Sequence, residues 1–271
     1  MTRALLCAAF LAAAGLCQAQ TKVEPTPLGR LLEAARDRGL FGRVEGTRHF
    51  RLGGGDELVL IQIDVRRDGE ETWIQSTVNH LDPTRPTLRA VNLHLGPVGQ
   101  IVKLRLILRT PEKEVTATGR VLEGEIEFEF KDGPSVDVQR FPWSERTIPG
   151  MLALFVLPCF PELLPRDGWD FVQFDEQGLA SGPRTIRAQR DEDGTRVELT
   201  HTDSGAVQLE ARLNLNGRLV SLLRGEERIV LVTAREAQRL TEEARTRRPA
   251  PEPEDAPPPE GEQPDAPQPP R

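Results

Sequence analysis

The chain has 271 residues, of which 28% are charged and 38% hydrophobic, with a formal charge of −7 at pH 7. Residues 249–271 hold six acids against one arginine and so carry −5 of that total, while Arg3 lies in a leader, which puts the body near −3. A body so close to neutral, with no basic cluster, has no electrostatic footprint for nucleic acid.

At the N-terminus, Met1 to Ala19 combines Arg3, an apolar run from Ala4 to Leu16 and the small-residue ending Cys17-Gln18-Ala19. This is the shape of a secretory signal peptide. It predicts a periplasmic or extracellular protein whose mature chain starts near Gln20. The apolar run is shorter than the about 20 residues a membrane helix needs, so no span is expected in the mature chain. A lipidated Cys17 is the alternative, but Leu16 stands where bacterial lipoprotein signals have a small residue. Removing residues 1–19 leaves Cys159 as the sole cysteine. No internal disulfide is then available, and stability must come from an ordinary core. Cys159, among Pro158, Phe160 and Pro161, reads as a buried inert thiol rather than a nucleophile.

Residues 20–47 are a helix and linker. Thr26 can cap, Pro27 suits the first helical position, Leu28, Leu31, Leu32 and Ala35 share one face, and Gly39 stops the helix. A helix this short is marginal alone, so it is expected to dock on the sheet that follows.

From Arg48 the sequence becomes a series of short strands separated by turn-formers. They are 58–66, 72–79, 88–95, 101–108, 113–121 and 124–130, and turns fall at Asp68-Gly69, Asp82-Pro83, Gly96-Pro97 and Asp132-Gly133. In Glu125-Ile126-Glu127-Phe128-Glu129-Phe130 one face is apolar and the other acidic, the pattern of a sheet wet on one side. Further strands are expected over 169–174, 185–189, 196–201, 207–213, 218–223 and 228–233. Between the two series lies the least polar stretch of the mature chain, 141–168. Its run Ile148 to Leu157 can start a helix at Pro149-Gly150, and Pro158, Pro161 and Pro165 break it. The predicted fold is mainly β with a few helices, a curved antiparallel sheet or half-barrel around a central apolar helix. It occupies 48–233, with 48–140 and 169–233 as two halves. The halves echo each other, since Asp68-Gly69 and Asp193-Gly194 precede similar strands, and VNLHLGPVGQIV resembles ARLNLNGRLV. Such echoes are also a generic hairpin code. Residues 234–248 read as a closing helix with Ala234, Ala237, Leu240 and Ala244 as a thin stripe and Glu243 to Arg247 as an ion pair. Residues 249–271, rich in proline and acid, are expected to be a disordered tail.

This order of leader, β meander, Pro-rich apolar helix, Gly168-Trp169-Asp170-Phe171 and a strand turn at Asn216-Gly217-Arg218-Leu219-Val220 resembles uncharacterised secreted β-rich bacterial proteins. More loosely it resembles the half-barrels of envelope lipoprotein carriers, in which a sheet wraps an apolar helix. The resemblance implies the fold and brings no catalytic residues.

Motifs for catalysis are missing. The sequence has no Gly-x-Ser-x-Gly elbow, phosphate-binding loop, dinucleotide fingerprint or His-Glu helix motif. His80-Leu81-Asp82 and His201-Thr202-Asp203 each put two ligand types on one strand face. Both lie where a strand enters a turn, where Asp serves its own backbone. No metal or other cofactor is expected. With no tyrosine, and tryptophan only at 73, 143 and 169, stacking platforms for sugars or single strands are thinly supplied. The reading that remains is a non-enzymatic protein with an apolar cavity for a lipid or acyl chain. Its expected lining is Trp143, Met151, Leu154, Phe155, Phe160, Trp169 and Phe171. A structural or interaction module holding an envelope protein, without a cavity, is the alternative, and a hydrolase with an unrecognised site is a third.

Overall fold

The computed structural model describes residues 24–53, 58–81, 87–176 and 178–246. The leader 1–19, the tail 249–271 and Asp82 lie outside the described residues. The first run of strands comprises β1 (Gly46–Leu52), β2 (Val59–Asp68), β3 (Glu71–His80), β4 (Thr87–Leu95), β5 (Ile101–Arg109), β6 (Glu114–Leu122), β7 (Glu125–Asp132) and β8 (Ser135–Pro142). After it come β9 (Thr147–Pro149), β10 (Trp169–Asp175), β11 (Ala180–Arg190), β12 (Gly194–His201), β13 (Val207–Asn214), β14 (Leu219–Arg224) and β15 (Glu227–Val232). Three α-helices, α1 (Pro27–Asp37), α2 (Gly150–Phe155) and α3 (Ala234–Thr246), complete the described elements together with short 3-10 turns.

All fifteen strands form one sheet in the order β8-β7-β6-β5-β4-β3-β2-β1-β15-β14-β13-β12-β11-β10-β9. Sheet neighbours are sequence neighbours, except where β1 pairs with β15, from His49 opposite Val232 to Leu52 opposite Ile229. Every pairing is antiparallel but that of β9 with β10. The chain thus runs round a ring that hydrogen bonds close between β1 and β15 and leave open between β8 and β9. The result is a large, curved, unclosed antiparallel sheet. Side chains bridge the opening instead. Phe174 of β10 stacks on Phe128 of β7 with ring centroids 5.6 Å apart, and meets Phe141 and Trp143 edge-on at 5.8 and 5.5 Å. Strands from both sides of the apolar segment therefore belong to a single ring. The sequence echoes fall on matching hairpins, β4–β5 and β13–β14, and each hairpin has a register shift just before its turn.

The apolar segment enters at the opening. Pro149 stands at the N-terminal end of α2, and Pro158 and Pro161 turn the chain into 3-10 turns at Leu157–Cys159 and Pro161–Leu163. Six residues cannot hold a helix by themselves, and buried helix ends need partners for their free N–H and C=O groups. Side chains on and beside the surrounding sheet supply these. The Met151 N–H donates to Glu176 at 3.2 Å, Arg48 reaches the Phe155 carbonyl at 3.5 Å, and Arg43 reaches the Cys159 carbonyl at 3.4 Å while pairing with Glu162 at 2.6 Å. Met151, Leu152, Ala153 and Phe155 are all buried, as a helix enclosed on every side requires.

Helix α1 closes one end of the ring. Thr26 caps it by accepting from the Gly29 N–H at 3.0 Å, and its backbone N–H donates to the Val98 carbonyl in the β4–β5 turn at 3.0 Å. Leu28, Leu31, Leu32 and Ala35 are buried. Helix and turn touch backbone to backbone at Gly29, where a Cβ would lie 2.0 Å from the Val98 carbonyl oxygen. In a helix interior, glycine to alanine ordinarily stabilises by up to about 1 kcal/mol. Here Gly29→Ala is expected to do the opposite, lowering stability by about 1–3 kcal/mol as overpacking does. Urea unfolding checks the sign, and a stabilised variant would show that α1 shifts freely on the turn.

Helix α3 lies on the outside, where Ala237 packs with Leu60 and Val232. Its stripe is narrower than the sequence implies, because Ala234 is exposed. The ion pair within it joins Glu243 to Arg239, while Arg247 lies outside the described residues.

Two strands, β8 and β9, are not among those predicted. Strand β8 is an edge with nearly every side chain exposed, so its composition shows no buried face. Strand β9 is three residues long, and its partner is set by the return of the chain from the interior.

Candidate ligand-binding cavity

At the end of the ring opposite α1, a cavity of about 350 Å³, partly open to solvent, remains inside the sheet. Its position follows from strand parity. The ends of β1, β3, β5 and β7 and the starts of β2, β4 and β6 place side chains there. Val78, Val91, Leu106, Leu108, Val115 and Phe130 form an apolar wall, and α2 contributes Met151, Leu154 and Phe155. Polar groups join the lining from several strands, with His80, Arg89 and Arg224 on β3, β4 and β14 and Gln173, Asp175 and Glu176 on and just after β10.

Glu176 is the chemically unusual member. It is 9% exposed, and burial pushes its carboxyl up to about 7, with the negative charge of Asp175 adding to the rise. The Gly150 and Met151 N–H groups work against that shift by favouring the carboxylate. Gly150 makes the arrangement possible, since a Cβ there would lie 2.8 Å from a Glu176 carboxylate oxygen and 3.2 Å from the Gln173 amide nitrogen. Gln173 is 3% exposed, and its amide oxygen has no hydrogen-bond partner.

Of the residues expected to line a cavity, Met151, Leu154 and Phe155 lie on this wall, with Phe155 also against Phe50 at 5.4 Å. Trp143 lines a separate, smaller cavity of about 190 Å³ beside α1, together with Leu28, Ile101 and Val121. Phe160 and Phe171 are buried in the core, and Trp169 is half-buried against Phe171. Sequence reasoning missed Gln173, Glu176 and Gly150. One signal was available for Gln173, which stands two residues from Phe171 and so shares its strand face.

The histidines are dispersed. His94 bonds Glu71 at 2.8 Å and stacks on Trp73 at 3.7 Å. Among the described residues no three or more His, Cys, Asp or Glu side chains gather as a metal site would need. Cys159 is buried, which pushes its thiol up and leaves the reactive thiolate disfavoured. No described helix is long and apolar enough to cross a membrane.

No family model and no curated protein matches the chain. Solved structures do. The chain is similar to barrel-like bacterial proteins of unknown function. A β-barrel-like protein of domain of unknown function DUF1849 from Brucella abortus aligns over 69% of this chain and 94% of its own, at 13% identity and a TM-score of 0.42. A DUF1329 family protein from Desulfovibrio piger aligns over 78% of this chain and 92% of its own, at 10% identity and a TM-score of 0.18.

Proposed function

We propose that the protein is an exported, non-enzymatic carrier or receptor that holds the apolar chain of an amphiphile in the cavity between α2 and the sheet. The observation that carries this reading is the cavity itself. Its volume of about 350 Å³ falls within the range of small-molecule sites, and its wall is mainly apolar with a smaller number of polar groups among the lining residues. A core meant only to pack would be filled, because protein interiors approach crystal density.

Two measurements test it. In native mass spectrometry of protein taken from its own envelope fraction, the chain is expected to lack residues 1–19 and to retain a lipid-sized mass. In solution, single-chain amphiphiles or phospholipids are expected to raise the melting temperature, since a ligand at 100 times its Kd adds about 2.7 kcal/mol to the folded state. Leu154→Glu, which puts a charge on the wall, is expected to abolish the rise. A folded wild type that responds to no member of the panel would remove the carrier reading.

One observation favours a second reading, an interaction module. Strand β8 ends the sheet with an unpaired edge, and Val136 and Val138 on it are 58% and 53% exposed. Such an edge is a template for a partner strand.

A further inference from the structure

The cavity has a floor, and the floor limits how much of a chain can enter. Strand pairing lays the inward side chains of β3 to β7 in rows across the sheet. The lowest of these rows is Ile74, Leu93, Leu104, Gly119 and Phe128, each opposite the next. Its four side chains are buried, and none of them borders the cavity. Gly119 leaves no gap in the row, because the Phe128 ring covers it so closely that a Cβ there would lie 2.7 Å from Cε1 of the ring. The next row, Ser76, Val91, Leu106, Ala117 and Phe130, lines the cavity at every position, and Val91, Leu106 and Phe130 are half-buried. Above it come Val78, Arg89, Leu108 and Val115, also in the lining, with Arg89 exposed. Along one direction the inner face thus passes from packed and buried, through half-buried, to charged and open to water.

We propose that the cavity selects its ligand by chain length, taking one unbranched chain of about eleven or twelve carbons whose methyl end stops on the row of Ile74, Leu93, Leu104 and Phe128. This deepens the carrier reading and rests on it. Volume and depth give the same length independently. A methylene takes up close to the ~30 Å³ share of a water molecule, so about 350 Å³ holds about twelve. A chain laid along β3 from the level of Ser76 to that of His80 covers four residues, ~14 Å at about 3.4 Å per residue. With C–C bonds of ~1.5 Å at tetrahedral angles, it advances about 1.3 Å per carbon and spans that depth in about eleven. Two chains of about sixteen carbons would need roughly 900 Å³, so a second chain of a lipid stays outside. The head group then lies at the level of His80 and Arg89, in reach of water. Val91, half-buried in the row above the floor, is a residue that sets the limit, because any side chain added there takes the space of the last carbons.

The test is a series of alkyl maltosides, hexyl, octyl, decyl, dodecyl and tetradecyl, each below its micelle concentration, titrated into the full chain by calorimetry. The head is the same uncharged sugar throughout, so only the chain varies. Affinity is expected to rise about fourfold per carbon up to dodecyl, the effect of burying one methylene, and to change by less than about threefold from dodecyl to tetradecyl. In Val91→Phe the break is expected at decyl or shorter, while the hexyl maltoside binds within a few-fold of its wild-type affinity. Should that variant fail to fold, Ala117→Leu fills the same row in its place, and should both fail the wild-type series decides alone. A rise that keeps its slope through tetradecyl, as adsorption to an unbounded apolar surface would give, overturns the length limit and leaves the carrier standing. So does a break already at octyl, or a folded Val91→Phe whose break remains at dodecyl. Binding of none overturns both.

Discussion

Phe174→Ala is expected to cost about 4–5 kcal/mol, the upper part of the range for a buried phenylalanine, because it also removes ring contacts worth about 0.5–1.5 kcal/mol each. Phe174 is fully buried and touches Phe128, Phe141 and Trp143. These contacts join β10 to β7 and β8 across the one place where the ring has no backbone pairing. A domain stable by 5–15 kcal/mol would lose a large share of that margin. The location of the loss matters as much as its size. Hydrogen exchange in Phe174→Ala is expected to show β8 and β9 opening well before β2 to β4, because the edge strands are then held on one side only. Leu222→Ala serves as the control. Leu222 is also fully buried but lies on β14, in the hydrogen-bonded part of the ring, so its loss of about 2–5 kcal/mol should be spread over the whole sheet. A uniform loss of protection in Phe174→Ala would show that the aromatic contacts do not hold the opening together.

The second large effect concerns pH. The Glu176 carboxyl rises from an ordinary 4.5 to about 7 in the folded chain, mainly by burial. Between those values the folded state binds a proton that the unfolded state has released, so stability falls as pH rises. The contribution is fully present below pH 4.5 and lost by the time pH has passed 7. At 1.36 kcal/mol per pH unit its size is roughly 3 kcal/mol. Glu176→Gln keeps an oxygen to accept from the Met151 N–H and cannot ionise. The variant is therefore expected to match the wild type near pH 4 and to exceed its stability by roughly 3 kcal/mol at pH 8. Taking the difference between the two proteins cancels the titration of every other group. Urea unfolding from pH 4 to 8 measures it, and a constant difference would place the charge of Glu176 in contact with water.

The candidate site was legible only in part. Met151, Leu154 and Phe155 could be placed from their apolar run alone, because a helix apolar on every side must be enclosed. Trp143 and Phe160 belong to the same run of sequence, but the structure sends one to a second cavity beside α1 and the other into the packed core. Which apolar residue meets empty space depends on how neighbouring elements fill the volume, and that is not a property of the residue.

Sequence alone determined the parts whose physics is local. Alternation located most of the strands, because successive side chains on a strand must face opposite ways. Thr26, Pro27 and the leucine face located α1, because capping and amphipathicity act within a few residues. Tertiary structure decided everything that joins distant residues. A hairpin pattern makes each strand's sequence neighbour its partner, but nothing in β1 or β15 names the other. Their pairing closes the ring and leaves the opening between β8 and β9. Gly29 looks like a weak helix residue until Val98 lies against it. Asp175 and Glu176 are adjacent acids before a turn, one exposed and the other buried. Their local sequence cannot separate them, because the difference is made by the N-terminus of α2, which the curled sheet brings to Glu176.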